Sequence, residues 1–210
     1  MPIKNIVFDV GGVIIKGNLY HSLHKYFKSK FDFDAFIKEI GHRQMSAVWD
    51  IGAKPFSDVI ADKIKEFPQY RDILLDYDLN WIDVIIGEDE GTISLIKSLK
   101  ENGYKLFIIS NFAKEKFEIL TAKYDFNKYF DGIIISAEVQ ALNPSAEIYE
   151  GLFSKFNLKP QECVFFDDLK ENVEGAKKAG MEAEVFTDAY SARRFLKNLS
   201  VEIEIDHNEN

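Results

Sequence analysis

Three acidic side chains are set where packing alone does not explain them. Asp9 closes an apolar run, Ile3 to Phe8, and Gly11 and Gly12 follow almost at once. Asp167 and Asp168 close a second run, Val164-Phe165-Phe166. Paired glycines behind a carboxylate let the backbone turn tightly and approach a ligand. Two adjacent acids repel each other unless a cation or a set of donors holds them. Together with Asp9 they make an oxygen-rich group suited to a hard cation such as Mg²⁺. Ser110-Asn111 ends a third apolar run. Its hydroxyl, amide and backbone donors suit phosphate oxygens, although the same pair also makes an ordinary helix N-cap.

Other candidates carry less. His21 and His24 can share a helix face, but no third ligand accompanies them, so no zinc site is expected. Gly11-Gly12 is not a dinucleotide fingerprint, because Lys16 stands where the third glycine of Gly-x-Gly-x-x-Gly belongs. Trp49 and Trp81 suit either a cleft lining or plain packing. Cys163, the single cysteine, lies in the run Cys163 to Phe166 and reads as a buried structural thiol.

The elements that must position these groups follow from periodicity. The runs Ile3 to Phe8, Tyr104 to Ile109, Gly132 to Ile135 and Cys163 to Phe166 are apolar on both faces, as strands of a covered parallel sheet are. A fifth strand is expected over Glu184 to Phe186. Helical patterns lie between them: Thr92 to Asn102 with Gly103 as C-cap, Lys114 to Tyr124, Ala146 to Phe156, and Asn172 to Ala179 ending at Gly180. This alternation predicts an α/β doubly wound parallel sheet, in which ligands bind at the carboxyl ends of the strands. The rhythm breaks between Asn18 and Asp83, where only aromatic-rich helical patterns occur: Leu19 to Phe27, Asp34 to Ala47, Pro55 to Phe67 with Ser57 as a candidate cap, and Arg71 to Leu79. The simplest division is an α/β core of residues 1–17 and 84–210 with a helical cap, residues 18–83, inserted after the first strand. The alternative is that these helices merely cover the sheet. The alternating stretch Glu202 to Asp206 suits an edge strand, and the last four residues a frayed end.

A chain of 210 residues, 46% hydrophobic, can bury a core of ordinary size. Its formal charge of -9 argues against a nonspecific nucleic-acid or anionic-membrane surface. It does not exclude an anionic ligand, since a metal ion can reverse the local potential. With no apolar run near ~20 residues and no leader, the expectation is a cytoplasmic protein, a monomer or weak homodimer, binding neither nucleic acid nor membrane.

Ile6-Val7-Phe8-Asp9-Val10-Gly11-Gly12-Val13-Ile14 resembles the first motif of the haloacid-dehalogenase-like hydrolases. Leu106-Phe107-Ile108-Ile109-Ser110-Asn111 resembles their second, and Val164-Phe165-Phe166-Asp167-Asp168 with Asn172-Val173-Glu174-Gly175-Ala176 their fourth. The resemblance spans essentially the whole chain. It is strongest to the branch with a small helical cap and an Asp-x-Gly first motif, similar to bacterial sugar-1-phosphate phosphatases such as alpha-D-glucose-1-phosphatase. Val48-Trp49-Asp50-Ile51-Gly52, followed by Phe56-Ser57, is similar to that branch's cap. The resemblance implies a Rossmannoid core and a mechanism. Asp9 would be the nucleophile that forms an aspartyl-phosphate. The Gly11 carbonyl and Asp168 would join it in binding Mg²⁺, with Asp167 direct or one water away. Ser110 would donate to the phosphoryl group of a small phosphorylated metabolite, Asn111 would support it or the leaving-group side, and Asn172 would support the metal-binding loop.

Two positions depart from the family pattern. A second aspartate, two residues after the nucleophile, commonly acts as general acid and base; here it is Gly11. The third motif normally presents a lysine before a proline; in Ser136 to Tyr149 that position is Asn143, next to Pro144. An amide can bind phosphate but brings no charge, and Lys114 and Lys170 are the substitutes in view. The leading expectation is a Mg²⁺-dependent phosphatase. A 2-haloacid dehalogenase and a catalytically impaired binding protein remain alternatives.

Overall fold

The computed structural model describes residues 2–203. Its strands are β1 (Asn5–Phe8), β2 (Ile15–Gly17), β3 (Ile85–Glu88), β4 (Lys105–Ser110), β5 (Gly132–Ile135), β6 (Cys163–Asp167) and β7 (Glu182–Val185). Its helices are α1 (Leu19–Leu23), α2 (Lys30–Glu39), α3 (His42–Asp50), α4 (Phe56–Glu66), α5 (Arg71–Leu79), α6 (Glu90–Glu101), α7 (Lys114–Lys123), α8 (Ser136–Val139), α9 (Ala146–Phe156), α10 (Lys170–Lys178) and α11 (Ala189–Asn198). Five strands form one parallel sheet in the order β5-β4-β1-β6-β7.

Successive side chains of a strand point to opposite faces, and both faces of this sheet are dry. Ile6, Phe8, Leu106, Ile108, Val164 and Phe166 pack with α6, α7 and α11. Val7, Phe107, Ile109, Cys163 and Phe165 pack with α9 and α10. Continuous apolar strands and helices on both sides therefore have one cause. The register sets Phe8 beside Ile108 on one flank and beside Phe166 on the other. Asp9 thus leaves β1 level with Asp167, and Ser110 ends the neighbouring strand.

The segment between β2 and β3 is helical and inserted after the first strand of the sheet, so the fold is a Rossmannoid core with an all-helical cap. An antiparallel ribbon of β2 with β3, which the sequence did not signal, joins the two ends of that insertion. Inside the insertion Phe27, Phe33, Phe36 and Tyr70 form one aromatic cluster. Trp49, Phe56 and Tyr77 form another.

Five expectations need correction. The helix expected over Asp34 to Ala47 is two helices, α2 and α3, because Gly41 takes a left-handed conformation at φ 64°. The helix from Leu19 stops at Leu23, with a short 3₁₀ turn over His24–Tyr26. Ser57 does not cap α4; Pro55 holds that place, and the Ser57 hydroxyl donates to Asp78 at 2.8 Å. The fifth strand begins earlier, at Glu182, and stops at Val185. Glu202 and Ile203 are not in a strand, and 204–210 lie outside the described residues.

Gly175 of α10 lies against the loop that follows α8. A Cβ there would stand 2.7 Å from Pro144 Cβ, and 2.8 Å from both the Pro144 carbonyl oxygen and the Tyr149 hydroxyl. Gly175→Ala is expected to destabilise the fold by about 1–3 kcal/mol through overpacking. In a chain of this size that lowers Tm by roughly 2–4 °C per kcal/mol. Thermal or urea unfolding checks it, and an unchanged midpoint would show that the Pro144 loop yields freely.

Candidate active site

Asp9, Asp167 and Asp168 meet at the carboxyl ends of β1 and β6, each offering an oxygen within 4.8 Å of the others. Asp9 and Asp167 are buried, and Asp168 opens to solvent on one side. Burial raises the Asp9 carboxyl well above the ordinary carboxylate range, and repulsion from Asp167 adds to it, against a hydrogen bond from Ser110. Asp167 is pushed up to about 6, again chiefly by burial. Its oxygens take the Leu169 N–H at 2.8 Å and the Asn172 amide at 3.0 and 3.1 Å. Partial withdrawal from water raises Asp168 as well.

The glycines differ in what they permit. Gly12 has φ +74°, and a Cβ on it would stand 2.5 Å from Asp168 Oδ2. That glycine is what lets Asp168 reach the group. A Cβ on Gly11 would meet only Asp9 Oδ2, at an ordinary 3.9 Å. Three carboxyls that burial and neighbouring acids leave reluctant to ionise, against the pull of their donors, fit a divalent cation with oxygen ligands. They are the one such cluster of three among the described residues.

Beside the acids, Asn111 fastens the loop before α9. Its Oδ1 accepts the Asn143 backbone N–H at 2.8 Å and its Nδ2 donates to the Asn143 carbonyl at 3.2 Å. Asn143 is buried, yet neither its side-chain nitrogen nor its oxygen has a hydrogen-bond partner. An orphaned buried amide is destabilising unless something supplies its partner. It borders a cleft of about 370 Å³ whose walls are α3, with Arg43, Ser46 and Asp50, and the core, with Asn111, Leu169 and Asn172.

The two lysines proposed as substitute cations, Lys114 and Lys170, are exposed at the starts of α7 and α10, and neither lines this cleft. The buried lysine is Lys116, which sequence reasoning passed over. Its ammonium lies 3.3 Å from Asp78 Oδ1 and 4.0 Å from the Phe56 ring centre. The signal was present: Ala113, Lys116, Phe117 and Leu120 occupy one helical stripe, and a lysine in an apolar stripe calls for a partner. Trp49 and Trp81 are both buried and border a chamber of about 100 Å³ shared with Asp50, Asn111 and Lys116. Asp50 was also missed as a site residue, because the split at Gly41 that carries α3 onward to it was not foreseen. The His21 and His24 rings stack at 5.9 Å on the surface.

Residues 3–180 match the family described as haloacid dehalogenase-like hydrolase. The chain is 22% identical to the pyrophosphatase PpaX of Bacillus anthracis, over 98% of this chain and 93% of that protein. Its fold is similar to that of the HAD family enzyme bt-2542 from Bacteroides thetaiotaomicron, with a TM-score of 0.77, 19% identity, and 93% and 99% of the two chains covered. The wild-type form of that enzyme, in complex with magnesium and inorganic phosphate, matches at 0.72 and 20% identity, over 89% and 95%. An L-2-haloacid dehalogenase from Xanthobacter autotrophicus matches at 0.65 and 16%, over 93% and 83%.

A carboxyl with a raised folded-state pKa holds its proton more tightly in the fold than in the unfolded chain. Stability is therefore lost as pH rises from the unfolded value through the folded one, for Asp167 from 3.8 to about 6. At pH 7.5 and without divalent ions, Asp9→Asn should melt above the wild type, and the gap should close at pH 4. Mg²⁺ should raise the wild-type Tm more at pH 7.5 than at pH 5. An Asn variant that melts lower at pH 7.5 would show that donors, not a cation, satisfy Asp9.

Proposed function

Since the chain belongs to the haloacid dehalogenase-like hydrolases, we propose that it is a Mg²⁺-dependent phosphatase acting on a small phosphomonoester through an aspartyl-phosphate on Asp9. The observation that carries this reading is the meeting of three carboxylates at the ends of two neighbouring strands, beside a buried amide that lacks a partner. Asp9, Asp168, Asp167 and the Gly11 carbonyl would hold the metal. When bound, Mg²⁺ neutralises charge on the phosphoryl oxygens. The protein's own groups do the rest. Asp9, with the Ser110 hydroxyl beside it favouring its charged form, attacks phosphorus. Ser110 and Asn111 orient the phosphoryl oxygens, and the free Asn143 amide donates to one of them. Asn172 acts at one remove, fixing Asp167.

On this reading residues 1–17 and 84–210 form the catalytic core and residues 18–83 the cap that selects substrate. Arg43 in the cleft wall suits a polar or anionic leaving group. A sugar phosphate, as in the alpha-D-glucose-1-phosphatase branch, is the substrate class proposed. The likeness to a pyrophosphatase adds pyrophosphate to the compounds worth testing. Among the described residues no helix is long and apolar enough to cross a membrane, and a cytoplasmic monomer or weak homodimer is proposed.

Phosphate release across a panel of sugar phosphates, other phosphomonoesters and pyrophosphate, with and without Mg²⁺, tests the reading. Asp9→Asn should lower turnover by roughly 10⁴-fold or more, as loss of a nucleophile does elsewhere. Halide release from 2-halo acids without metal would instead make it a dehalogenase. Metal binding with no turnover would make it a binding protein.

Asn143 supplies a sharper test. A lysine there would bring an ammonium into a partly dry site, where charge interactions far exceed their value in water. Asn143→Lys is expected to lower KM or raise kcat/KM by about 10-fold. Lys114→Ala and Lys170→Ala should each change kcat/KM by less than about 3-fold, as exposed residues do. Steady-state kinetics on the four proteins checks this, and a large loss in either alanine variant would assign the missing charge to that lysine.

A further inference from the structure

Gly11 leaves the site without a carboxyl two residues after Asp9, but the opposite wall carries one. Asp50 is the last residue of α3. It lines both the cleft shared with Asn111 and Asn143 and the chamber shared with Lys116. The Ala113 backbone N–H and the Trp49 side chain face its carboxylate and favour the charged form. Its carbonyl accepts the Ser136 hydroxyl at 2.5 Å. That hydroxyl in turn accepts the Phe112 N–H at 2.9 Å. Gly52, at φ +72°, brings the chain so close to the core that a Cβ would stand 2.9 Å from the Ala137 carbonyl oxygen. The end of a cap helix is therefore fastened through Ser136 to the loop that follows Ser110 and holds Asn111, and Asp50 has a fixed place beside both.

We propose that Asp50 is the general acid and base of the reaction, delivered from the cap in place of the side chain that Gly11 lacks. This rests on the phosphatase reading above. As an Asp9 oxygen attacks phosphorus, the bond from phosphorus to the leaving oxygen breaks and that oxygen keeps the electron pair. The Asp50 carboxyl gives it a proton, so the alcohol departs neutral. The Asp50 carboxylate then takes a proton from water as the water oxygen attacks the phosphorus of the aspartyl-phosphate. The bond from phosphorus to Asp9 breaks with its electron pair returning to Asp9, phosphate leaves, and Asp50 is protonated again.

The surroundings of Asp50 favour this role. Burial pushes its carboxyl up to about 7, so both forms are populated at neutral pH, where an acid-base group works best. Glu171 at the start of α10, the other acid on the cleft, is exposed. Arg43 lines the cleft from the same helix as Asp50, while on α7 Lys116 is engaged by Asp78 and Glu115 takes the Phe56 N–H. His42 on α3 is held neutral by burial and lies against Tyr77 of α5, whose phenol burial also keeps protonated.

The test compares an alkyl phosphate, glycerol phosphate, with para-nitrophenyl phosphate, whose leaving oxygen departs without a proton. Asp50→Asn should lower kcat/KM for the alkyl ester by about 10²–10⁴-fold and for the aryl ester by less than about 10-fold. It should also abolish the fall of wild-type kcat/KM above pH ~7, where the acid form is lost. Gly11→Asp placed in the Asp50→Asn background should restore alkyl-ester hydrolysis, since position 11 has room for a side chain. Equal losses for the two esters, or a loss confined to KM, would overturn the proposal and leave Asp50 a binding group. The wild type also provides a check that needs no variant and so survives any folding defect. Across a series of aryl and alkyl phosphates, a steep decline of its kcat/KM with leaving-group basicity would show that no acid serves the leaving oxygen. A wild type inactive on every phosphomonoester and on pyrophosphate would strike down the phosphatase reading itself, and Asp50's role with it.

Discussion

The withdrawal of Asp9 and Asp167 from water, with repulsion between them and from Asp168 added to it, is what the rest of the molecule has to withstand. Two like charges about 4 Å apart repel by about 4 kcal/mol at the effective dielectric of a protein site. Only a rigid frame can hold them there. The parallel sheet supplies it: β1 lies between β4 and β6, with apolar side chains on both faces. Around the acids the polar groups all serve to hold charge in place. Leu169 and Asn172 fix Asp167, Tyr149 fixes the Asn172 carbonyl at 2.8 Å, and Gly12 clears the way for Asp168.

What could be read from the sequence is what depends on short range. A buried parallel strand is apolar at nearly every position, so the five strands of the sheet, and the polar groups that follow them, were visible within a few residues of their bounds. The helices α5 and α9 were legible to the residue for the same reason. The cap was harder. Its helices bury narrow faces against one another, and a glycine inside a helical pattern can be tolerated or can end it. At Gly41 it ends the helix, which shifts the phase of everything up to Asp50. The short ribbon of β2 and β3 had no signal of its own, because one strand is three residues long and the partners are separated by the whole insertion.

The site likewise divides into a part visible locally and a part made by tertiary contact. Asp9, Ser110, Asn111, Asp167 and Asp168 each end a strand, and strand ends can be found from sequence. Asn143 was found by its neighbour Pro144, but its lack of any partner is a property of the assembled loop. Asp50 and Lys116 owe their character to burial by residues distant in sequence: Asp50 by the β4–α7 loop and Ser136, Lys116 by Phe56, Asp78 and Trp81. Of the two, only Lys116 gave a local sign, by its place in the apolar stripe of Ala113, Phe117 and Leu120.

Lys116 has a bearing on how large a molecule the cleft can admit. Its ammonium sits on α7 of the core, while the carboxylate, the Phe56 ring and the Trp81 ring that surround it belong to the inserted segment. Any swing of the helical insertion away from the sheet would pull that ammonium off its aromatic bed and return it to water, while the Ser136 hydroxyl would lose the Asp50 carbonyl. Both fastenings adjoin the small chamber, which Lys116 and Asp50 line. A compound able to slip in without parting them meets no gate, whereas a bulkier one must first break an ion pair and a hydrogen bond.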